Sequence, residues 1–516
     1  MTRSNSVLST ILSLAMSCVA FGYAPAAQAF CGFYVAGGES SLFNDATQAV
    51  LMRAGQRTVL SMQNNYQGPP ENFAMVVPVP AVLQQENVRT LSAELFAKID
   101  TLSAPRLVEY WEMDPCETRY YDDDMDGVPE SGAVNEASDG GEVTVEAEFR
   151  VGEYDIVILS TNDSTALAGW LTDNEYSIPE GAGPYLEPYV QNGMYFFVAR
   201  VNAEEVTMNE GNAVLSPLRF YYDSNEFSLP VRLGLINSQG DQDLIVYTLG
   251  LGQRYEVANR TNVTIPTNIE VVDEVRNDFG SFYRTLFDET VALNPGAAVT
   301  EYSWDASTCD PCPGPTLDRD DFATLGADVI DADPWANWTL TRMHLRYSSD
   351  TLGDDLVFSE AEPIVGGRER YNDQTLEVGS TPASYNNFQG RYIIRHAWTE
   401  PVTCEEPVYG RWGGPGGAEN PGQPQGATSP NTEGDASSAD EGSGDTTLPS
   451  DDIADLVAQD IPEINVEASG RFVGEDGAGD NDDGGCGCQS TDPVSLGLLV
   501  LFGLWVTLRR RKPSQV

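Results

Sequence analysis

Basic residues are scarce in this chain. Its 516 residues include 28 Lys and Arg against 79 Asp and Glu, a net charge of -51, and the lysines are Lys98 and Lys512. A nucleic-acid binder needs a basic surface that displaces counterions from phosphate. DNA and RNA are therefore not expected as partners.

The usual catalytic signatures are also missing. The sequence has two histidines, His344 and His396, but no Gly-x-Ser-x-Gly elbow, no His-Glu-x-x-His motif and no phosphate-binding glycine loop. Acids are so numerous that no catalytic carboxylate pair stands out. Alternation along a strand would place Arg342, His344 and Arg346 on one face. We expect these cations to pair with acids, since unpaired arginines are costly in a packed fold; an anion site and a Ser-His-Asp mechanism are the alternatives.

The first 29 residues have the pattern of an export signal. Arg3 precedes an apolar stretch from Val7 to Phe21, and Ala27-Gln28-Ala29 places small residues at the positions that a signal peptidase reads. We expect a signal peptide over residues 1–29 and a mature chain that begins at Phe30. The protein is then exported to the cell envelope or the cell surface.

The other end has the pattern of a membrane anchor. Val494 to Leu508 is uncharged and is followed by Arg509-Arg510-Arg511-Lys512. A helix of that length rises about 22 Å, somewhat less than a hydrocarbon layer of about 30 Å. We expect one transmembrane helix here, with the basic cluster on the cytoplasmic side.

The order of Cys486-Gly487-Cys488, a short apolar helix and an arginine-rich tail resembles the myxobacterial C-terminal sorting tag MYXO-CTERM. The resemblance covers residues 486–512. It implies a sorting protease as partner and an anchor formed either by the helix or by a processed cysteine, Cys486 or Cys488.

Residues 413–485 differ in composition from the body that precedes them. Gly, Pro, Ser and acids dominate, which favours a disordered, self-repelling acidic spacer. A short apolar patch, Ile453 to Val473, is able to form local structure or to dock onto the body.

Residues 30–412 form the expected folded body, with one or two subdomains. Helical periodicity appears at Thr90–Leu102, Ser164–Asp173 and Phe279–Leu293. Strand-like runs are Thr58–Gln63, Phe73–Pro80, Glu142–Val151, Asp155–Ser160, Met194–Val201, Leu218–Tyr222, Val231–Ile236, Leu244–Leu249, Trp338–Tyr347 and Arg391–Trp398. Because helices do not alternate regularly with strands, we expect an α+β fold, a mainly antiparallel β body with a few helices.

The body resembles a bacterial family named domain of unknown function 2330. The resembling stretches are Cys31–Phe33, Phe73–Pro80, Cys309–Cys312 with Pro315 and Leu317, Leu340–Tyr347 and Arg391–His396. The resemblance implies an exported bacterial protein and assigns no chemistry.

Disulfide bonds are the default state for cysteines of an exported chain. The body has five candidates: Cys31, Cys116, Cys309, Cys312 and Cys404. We expect Cys31 to pair with Cys116, since these two bracket the first subregion, and a second bridge among the other three.

Cys309-Asp310-Pro311-Cys312 has the spacing of a thiol oxidoreductase. Such enzymes lower the pKa of the first thiol with a helix N-terminus. Pro311, Pro313 and Pro315 argue against a helix here, because proline is tolerated only in a first helical turn. A structural bridge is the expected role, and an envelope thiol-disulfide oxidoreductase is the alternative.

Asp122, Asp124 and Asp126 alternate before Gly127, as in loops that wrap oxygens around Ca²⁺. Ala133 stands where an EF-hand needs glutamate, so the loop is more similar to thrombospondin type 3 repeats. A calcium-stabilised adhesion-type protein is therefore a further alternative, beside a solvated acidic turn.

Together, these patterns predict an exported, anchored, disulfide-stabilised surface protein, with a binding or structural module as its body. No other cofactor is expected, and the surface partner is not specified by any motif.

Overall fold

The computed structural model describes residues 47–63, 74–116, 145–173, 182–202, 207–209, 212–237, 240–333, 336–368, 371–372, 375–413, 448, 450 and 452–470. All of them belong to one compact unit that ends at Arg471. The expected signal peptide, the Asp122 to Asp126 loop, Cys31, Cys486, Cys488 and the expected transmembrane helix lie outside these residues.

Strands make up most of the described fold. In chain order they are β1 (Thr47–Ala54), β2 (Arg57–Gln63), β3 (Ala74–Val79), β4 (Val88–Thr90), β5 (Arg106–Glu112), β6 (Val145–Val151), β7 (Tyr154–Ser160), β8 (Tyr195–Val201), β9 (Thr207–Asn209), β10 (Asn212–Val214), β11 (Leu218–Asp223), β12 (Ser228–Leu229), β13 (Gln242–Leu251), β14 (Arg254–Val257), β15 (Asn262–Thr264), β16 (Ile269–Glu270), β17 (Ala298–Asp305), β18 (Trp338–Tyr347), β19 (Leu356–Ala361), β20 (Ile364–Gly366), β21 (Tyr371–Asn372), β22 (Thr375–Leu376), β23 (Thr381–Pro382), β24 (Asn387–Gln389), β25 (Arg391–His396) and β26 (Trp412–Gly413).

The α-helices of the described residues are α1 (Ala93–Ser103), α2 (Ser164–Asp173), α3 (Gly183–Gln191), α4 (Phe279–Leu293) and the short α5 (Arg319–Phe322). Ser92 begins α1 by accepting a hydrogen bond from the Glu94 amide, and Asp278 caps α4 in the same way. Within the described ranges, no helix is long and apolar enough to cross a membrane.

The central sheet has eleven strands in the order β23-β20-β24-β17-β18-β13-β1-β2-β11-β4, with β15 alongside β17. Two four-stranded sheets, β3-β8-β7-β6 and β16-β25-β5-β26, accompany it. Most neighbouring strands are antiparallel, but five pairs within the described residues are parallel: β1 with β13, β5 with β25, β15 with β17, β16 with β25 and β20 with β24. The predicted α+β class is confirmed, with mixed rather than purely antiparallel sheets.

Alternation along the central strands sends side chains to two cores. Leu51 and Leu60 pack on one face against Val77 and Phe197 of the β3-β8-β7-β6 sheet. The other face is covered by α1, α5 and the loop around them. Helices α2 and α3 cover the face of the β3-β8-β7-β6 sheet that points away from the central sheet.

One predicted strand is wrong. Val231–Ile236 forms a 3-10 helix, Arg232–Asn237. Pro230 offers no amide for a strand ladder, and Asp355 Oδ1 accepts hydrogen bonds from the amides of Val231 and Arg232, at 2.8 and 3.1 Å.

The helix predicted from Thr90 begins at Ala93, because Ser92 is its cap and Thr90 pairs in β4 with Leu218 of β11. Several elements have no counterpart among the predicted ones; the longest are the strands β1, β5, β17 and β19 and the helix α3.

Residues 452–470 pack against the body, although they lie within the predicted spacer. Ile453–Asp455 and Pro462–Ile464 are 3-10 helices whose apolar side chains join the core around α4. We call residues 452–470 the docked segment. Docking onto the body is one of the two possibilities that the sequence left open for the apolar patch from Ile453 to Val473, and residues 452–470 adopt it.

Candidate functional site

A network of charged side chains runs from the core to the surface between α1 and α4. Its members, in order of contact, are Asp100, Arg342, Glu301, His344, Asp243, Arg346 and Asp288, and we call them the charge network. Acid and base alternate along it when His344 carries a proton. The exposed fraction of the side chains rises from 0% at Glu301 to 49% at Asp288.

Strand alternation supplies the cations of the network. Arg342, His344 and Arg346 project from one face of β18, as predicted, while Met343 and Leu345 on the other face join the apolar core. All three are paired with carboxylates, so the expectation of ion pairing is confirmed.

A β-bulge places the central acid. The register between β17 and β18 shifts between Thr300 and Tyr302, and Glu301 is the residue left over. Its carboxylate accepts from Arg342 Nε at 2.5 Å, lies 2.9 Å from His344 Nδ1, and accepts from the Tyr283 hydroxyl. Burial opposes the charge of Glu301, but Arg342 and His344 outweigh it and lower its pKa to about 2.

The imidazole of His344 is enclosed. The residue is 1% exposed, its Nε2 lies 3.1 Å from Asp243 Oδ1, and the Phe287 ring stacks on it with centroids 3.8 Å apart. Burial opposes the charged form of His344, but Glu301 and Asp243 outweigh burial and raise its pKa above the ordinary value. Both ring nitrogens are occupied, so the imidazole has no nitrogen left for a substrate.

The inner end of the network is shared with α1. Arg342 Nη1 donates to Asp100 and lies 3.1 Å from the Tyr247 hydroxyl, which itself donates to Asp100 Oδ1 at 2.7 Å. Burial raises the pKa of Tyr247 well above its usual range. These bonds tie α1 to β13 and β18.

The second histidine forms a separate, half-buried cluster at the end of β25. His396 Nε2 lies 2.7 Å from Glu109 Oε2, and Arg276 binds the same carboxylate through two nitrogens at 2.9 and 3.0 Å. Trp111 stacks on the imidazole with centroids 4.7 Å apart. Burial opposes the charge of Glu109, but Arg276 and His396 outweigh it and lower the pKa of this carboxyl.

Cys309 and Cys312 are joined by a disulfide bond. The loop that carries them precedes α5 rather than starting it, so no helix N-terminus lies behind Cys309. Cys312 is exposed and Cys309 is half-buried. Arg106 supports the loop from the core, donating from Nη1 to the Pro311 carbonyl at 2.9 Å.

The other bridge joins Cys116 to Cys404. The expected pairing of Cys31 with Cys116 is therefore wrong. Bracketing along the sequence suggested that pair, but β26 returns beside β5 and brings the chain around Cys404 to the end of β5. No pattern in the amino-acid sequence indicated this return of the chain.

A metal centre is not formed by the described ranges: they contain no group of three or more His, Cys, Asp or Glu side chains that could hold an ion. The candidate calcium ligands Asp122, Asp124 and Asp126 lie outside those ranges.

The sequence indicated only the cations of the charge network. Its acids come from α1, β13, β17 and α4, which are far apart along the chain.

Comparisons with known proteins give a family and no activity. Two crystal structures of a mutated baculovirus P35 after caspase cleavage are similar at 14% and 13% identity, with TM-scores of 0.20 and 0.21. The similar regions cover 40% and 42% of this chain and 66% and 69% of the two P35 chains. This chain therefore spans just under two thirds of the length of the first structure. No functionally curated protein matches the chain.

The model of the family described as "uncharacterized protein conserved in bacteria", DUF2330, matches residues 25–359. That range contains four of the five resembling stretches and lies short of Arg391–His396. The chain belongs to the bacterial DUF2330 family.

Proposed function

We propose that this protein is an exported, surface-anchored envelope protein whose body is a non-catalytic binding or structural module. The observation that supports a non-catalytic body is the enclosure of His344. A general base must reach the proton that it removes, and this imidazole is held between Glu301, Asp243 and Phe287. The same contacts are what a fold-stabilising network requires.

Export and anchoring are supported by the sequence at both ends. The signal over residues 1–29 directs the chain out of the cytoplasm, and residues 486–512 resemble a sorting tag that a dedicated protease would process near Cys486 or Cys488. Two disulfide bonds within the described residues fit an oxidising compartment. The partners are then the membrane, the sorting protease and a surface ligand.

Mapping of the mature protein tests this proposal. Cells are fractionated, free thiols are alkylated, and the termini and cysteine pairs are identified by mass spectrometry. We expect an N-terminus at Phe30, oxidised Cys116 and Cys404, and recovery in the envelope fraction. Full-length, reduced chain in the soluble fraction would contradict export, and turnover of a thiol, glycan or peptide by the pure protein would contradict a non-catalytic body.

Thiol-disulfide exchange at Cys309 and Cys312 is the second candidate, favoured by the exposure of Cys312. In this reaction the thiolate of an exported dithiol protein attacks Cys312 Sγ, and Cys309 leaves as a thiolate. The partner's second thiolate then attacks its own bonded sulfur, which releases Cys312 and leaves the partner oxidised.

A graded reduction separates the two candidates, with the Cys116–Cys404 bridge as an internal reference. An exchange site predicts that low concentrations of a dithiol reduce Cys309–Cys312 selectively in the folded protein, and that Cys309→Ser traps mixed disulfides on Cys312. A structural bridge predicts that both disulfides resist until the protein unfolds and that Cys309→Ser traps nothing.

A further inference from the structure

The docked segment closes on itself as a small compact unit. The Ser469 amide donates to the Ala454 carbonyl at 2.9 Å, which joins the two ends of the segment. Ile461 and Val466 exchange two backbone hydrogen bonds of 2.9 and 3.1 Å. The segment therefore has a shape of its own rather than lying on the body as an extended chain.

One side of the segment is apolar and fully covered. Five aliphatic side chains are each less than 5% exposed: Ile453, Leu456, Val457, Ile461 and Ile464. They belong to the same core cluster as Val271, Val275, Phe279 and Phe282 of the body. Burial of five such side chains is a substantial driving force for binding.

The backbone of the segment extends a sheet of the body. β16 is the edge strand of the β16-β25-β5-β26 sheet, and an isolated antiparallel bridge joins Val457 to Val271 beside it. The Ala458 amide donates to the Glu270 carbonyl at 2.9 Å, and the Val272 amide donates to the Leu456 carbonyl at 3.1 Å. Addition of a peptide to a sheet edge, with side chains in adjacent pockets, is a common mode of peptide recognition.

Net charge opposes this contact. The segment contains five acids, Asp452, Asp455, Asp460, Glu463 and Glu467, and no base, while residues 30–412 contain 61 acids and 22 bases. Apolar burial and backbone hydrogen bonds must therefore outweigh a general repulsion between the two.

We propose that the face formed by α4, Asp273–Asn277 and β16 is a peptide-binding surface, and that its ligand is the docked segment, held without need of the covalent link through residues 414–451. The predicted spacer is then divided. From the body to the cysteine motif the chain would have only residues 471–485, which reach about 50 Å when extended, instead of about 250 Å for residues 413–485. This consequence for the anchor rests on the proposed function, whereas the binding itself does not.

A cut in the link tests the binding. A recognition site for a specific protease is inserted between Thr432 and Glu433 of the full chain, which is purified in mild detergent and cleaved. Size-exclusion fractions are then analysed by mass spectrometry for body peptides and for peptides of residues 452–470. We expect the segment to co-elute with the body after cleavage.

Matched variants make the outcome specific. Leu456→Asp combined with Val457→Asp should release the segment after the cut, whereas Glu463→Gln combined with Glu467→Gln, which changes exposed positions of the same segment, should retain it. Separation of the wild-type pieces to the same extent as in the double aspartate variant would overturn the proposal. Because the test is done in detergent, failed export or anchoring would not affect its result.

A synthetic peptide of residues 450–471 gives a second measurement. Added to the cleaved double aspartate variant, whose face is vacant, the labelled peptide should bind several-fold more tightly at 0.5 M than at 0.05 M NaCl, since salt screens the repulsion. Absence of binding, or weaker binding at high salt, would contradict a contact held by apolar burial.

Discussion

Replacement of His344 by glutamine tests the charge network most directly. The imidazole connects Glu301 to Asp243 through bonds of 2.9 and 3.1 Å, and a glutamine amide cannot span both carboxylates. A hydrogen bond to a charged group contributes about 1.5–3 kcal/mol, and breaking a buried charged pair costs about 3–5 kcal/mol. We expect His344→Gln to lower the free energy of unfolding by about 3–5 kcal/mol at pH 6.

The size of this effect should depend on pH. The folded pKa of His344 is raised above its unfolded value of 6.5, so its contribution is complete below about pH 6.5 and is lost as the pH rises through the folded pKa. Between those two values the wild-type free energy of unfolding should fall by about 1.4 kcal/mol per pH unit.

The acids of the network set the lower limit of the same window. Glu301 and Asp243 have folded pKa values of about 2, below their unfolded values of 4.5 and 3.8. Their contribution is present above those unfolded values and is lost as the pH falls through about 2. The network should therefore stabilise the fold most between about pH 4.5 and 6.5.

Urea denaturation at pH 5.5, 6.5, 7.5 and 8.5, at constant ionic strength, measures these differences. His396→Gln is the matched control, because it removes the other histidine from a half-buried cluster and leaves the network intact. The difference between wild type and His344→Gln should shrink at the higher pH values. Parallel curves across the whole range would refute a protonated His344 in the folded state.

Three other outcomes follow from the structure and the sequence. Cys404→Ser removes the disulfide bond to Cys116, whose partners are 288 residues apart, and should lower the free energy of unfolding by up to about 5 kcal/mol. Thermal unfolding without reductant measures this loss, and an unchanged Tm would contradict a stabilising bridge. With a net charge of -51, the protein should have a higher Tm at 1 M than at 0.05 M NaCl, and a lower Tm would mean that attractive pairs outweigh repulsion. If Asp122, Asp124 and Asp126 hold calcium, the alternative that their spacing indicates, a chelator should lower the Tm by several degrees, and an unchanged Tm would exclude a stabilising calcium ion.

Regular periodicity made some elements predictable from sequence. Trp338–Tyr347, Ser164–Asp173 and Phe279–Leu293 have the predicted bounds, because each shows a clear strand or helix pattern over its whole length. The strand Ala298–Asp305 was missed for the opposite reason. Glu301 interrupts its apolar pattern, and only the bulge and the buried partners explain why an acid is tolerated there.

The candidate site was predictable only from its cationic side. Alternation showed that Arg342, His344 and Arg346 share one face of a strand. The free-energy cost of burying an unpaired cation indicated that they pair with acidic side chains. Which of 79 acids they meet depends on long-range packing. Local sequence carries no information on that choice, since Asp100 reaches Arg342 from 242 residues away.

The parallel pairing of β25 with β5 has a consequence for where the folded unit ends. Six residue pairs join these strands, from Arg391 with Arg106 to His396 with Trp111, and β25 also separates β5 from β16. A chain shortened to the family boundary at residue 359 would lose the middle of this sheet and uncover the aromatic side chains of α4 that pack against Tyr392 of β25. Recombinant work on relatives should therefore extend past that boundary, to the return of the chain beside β5.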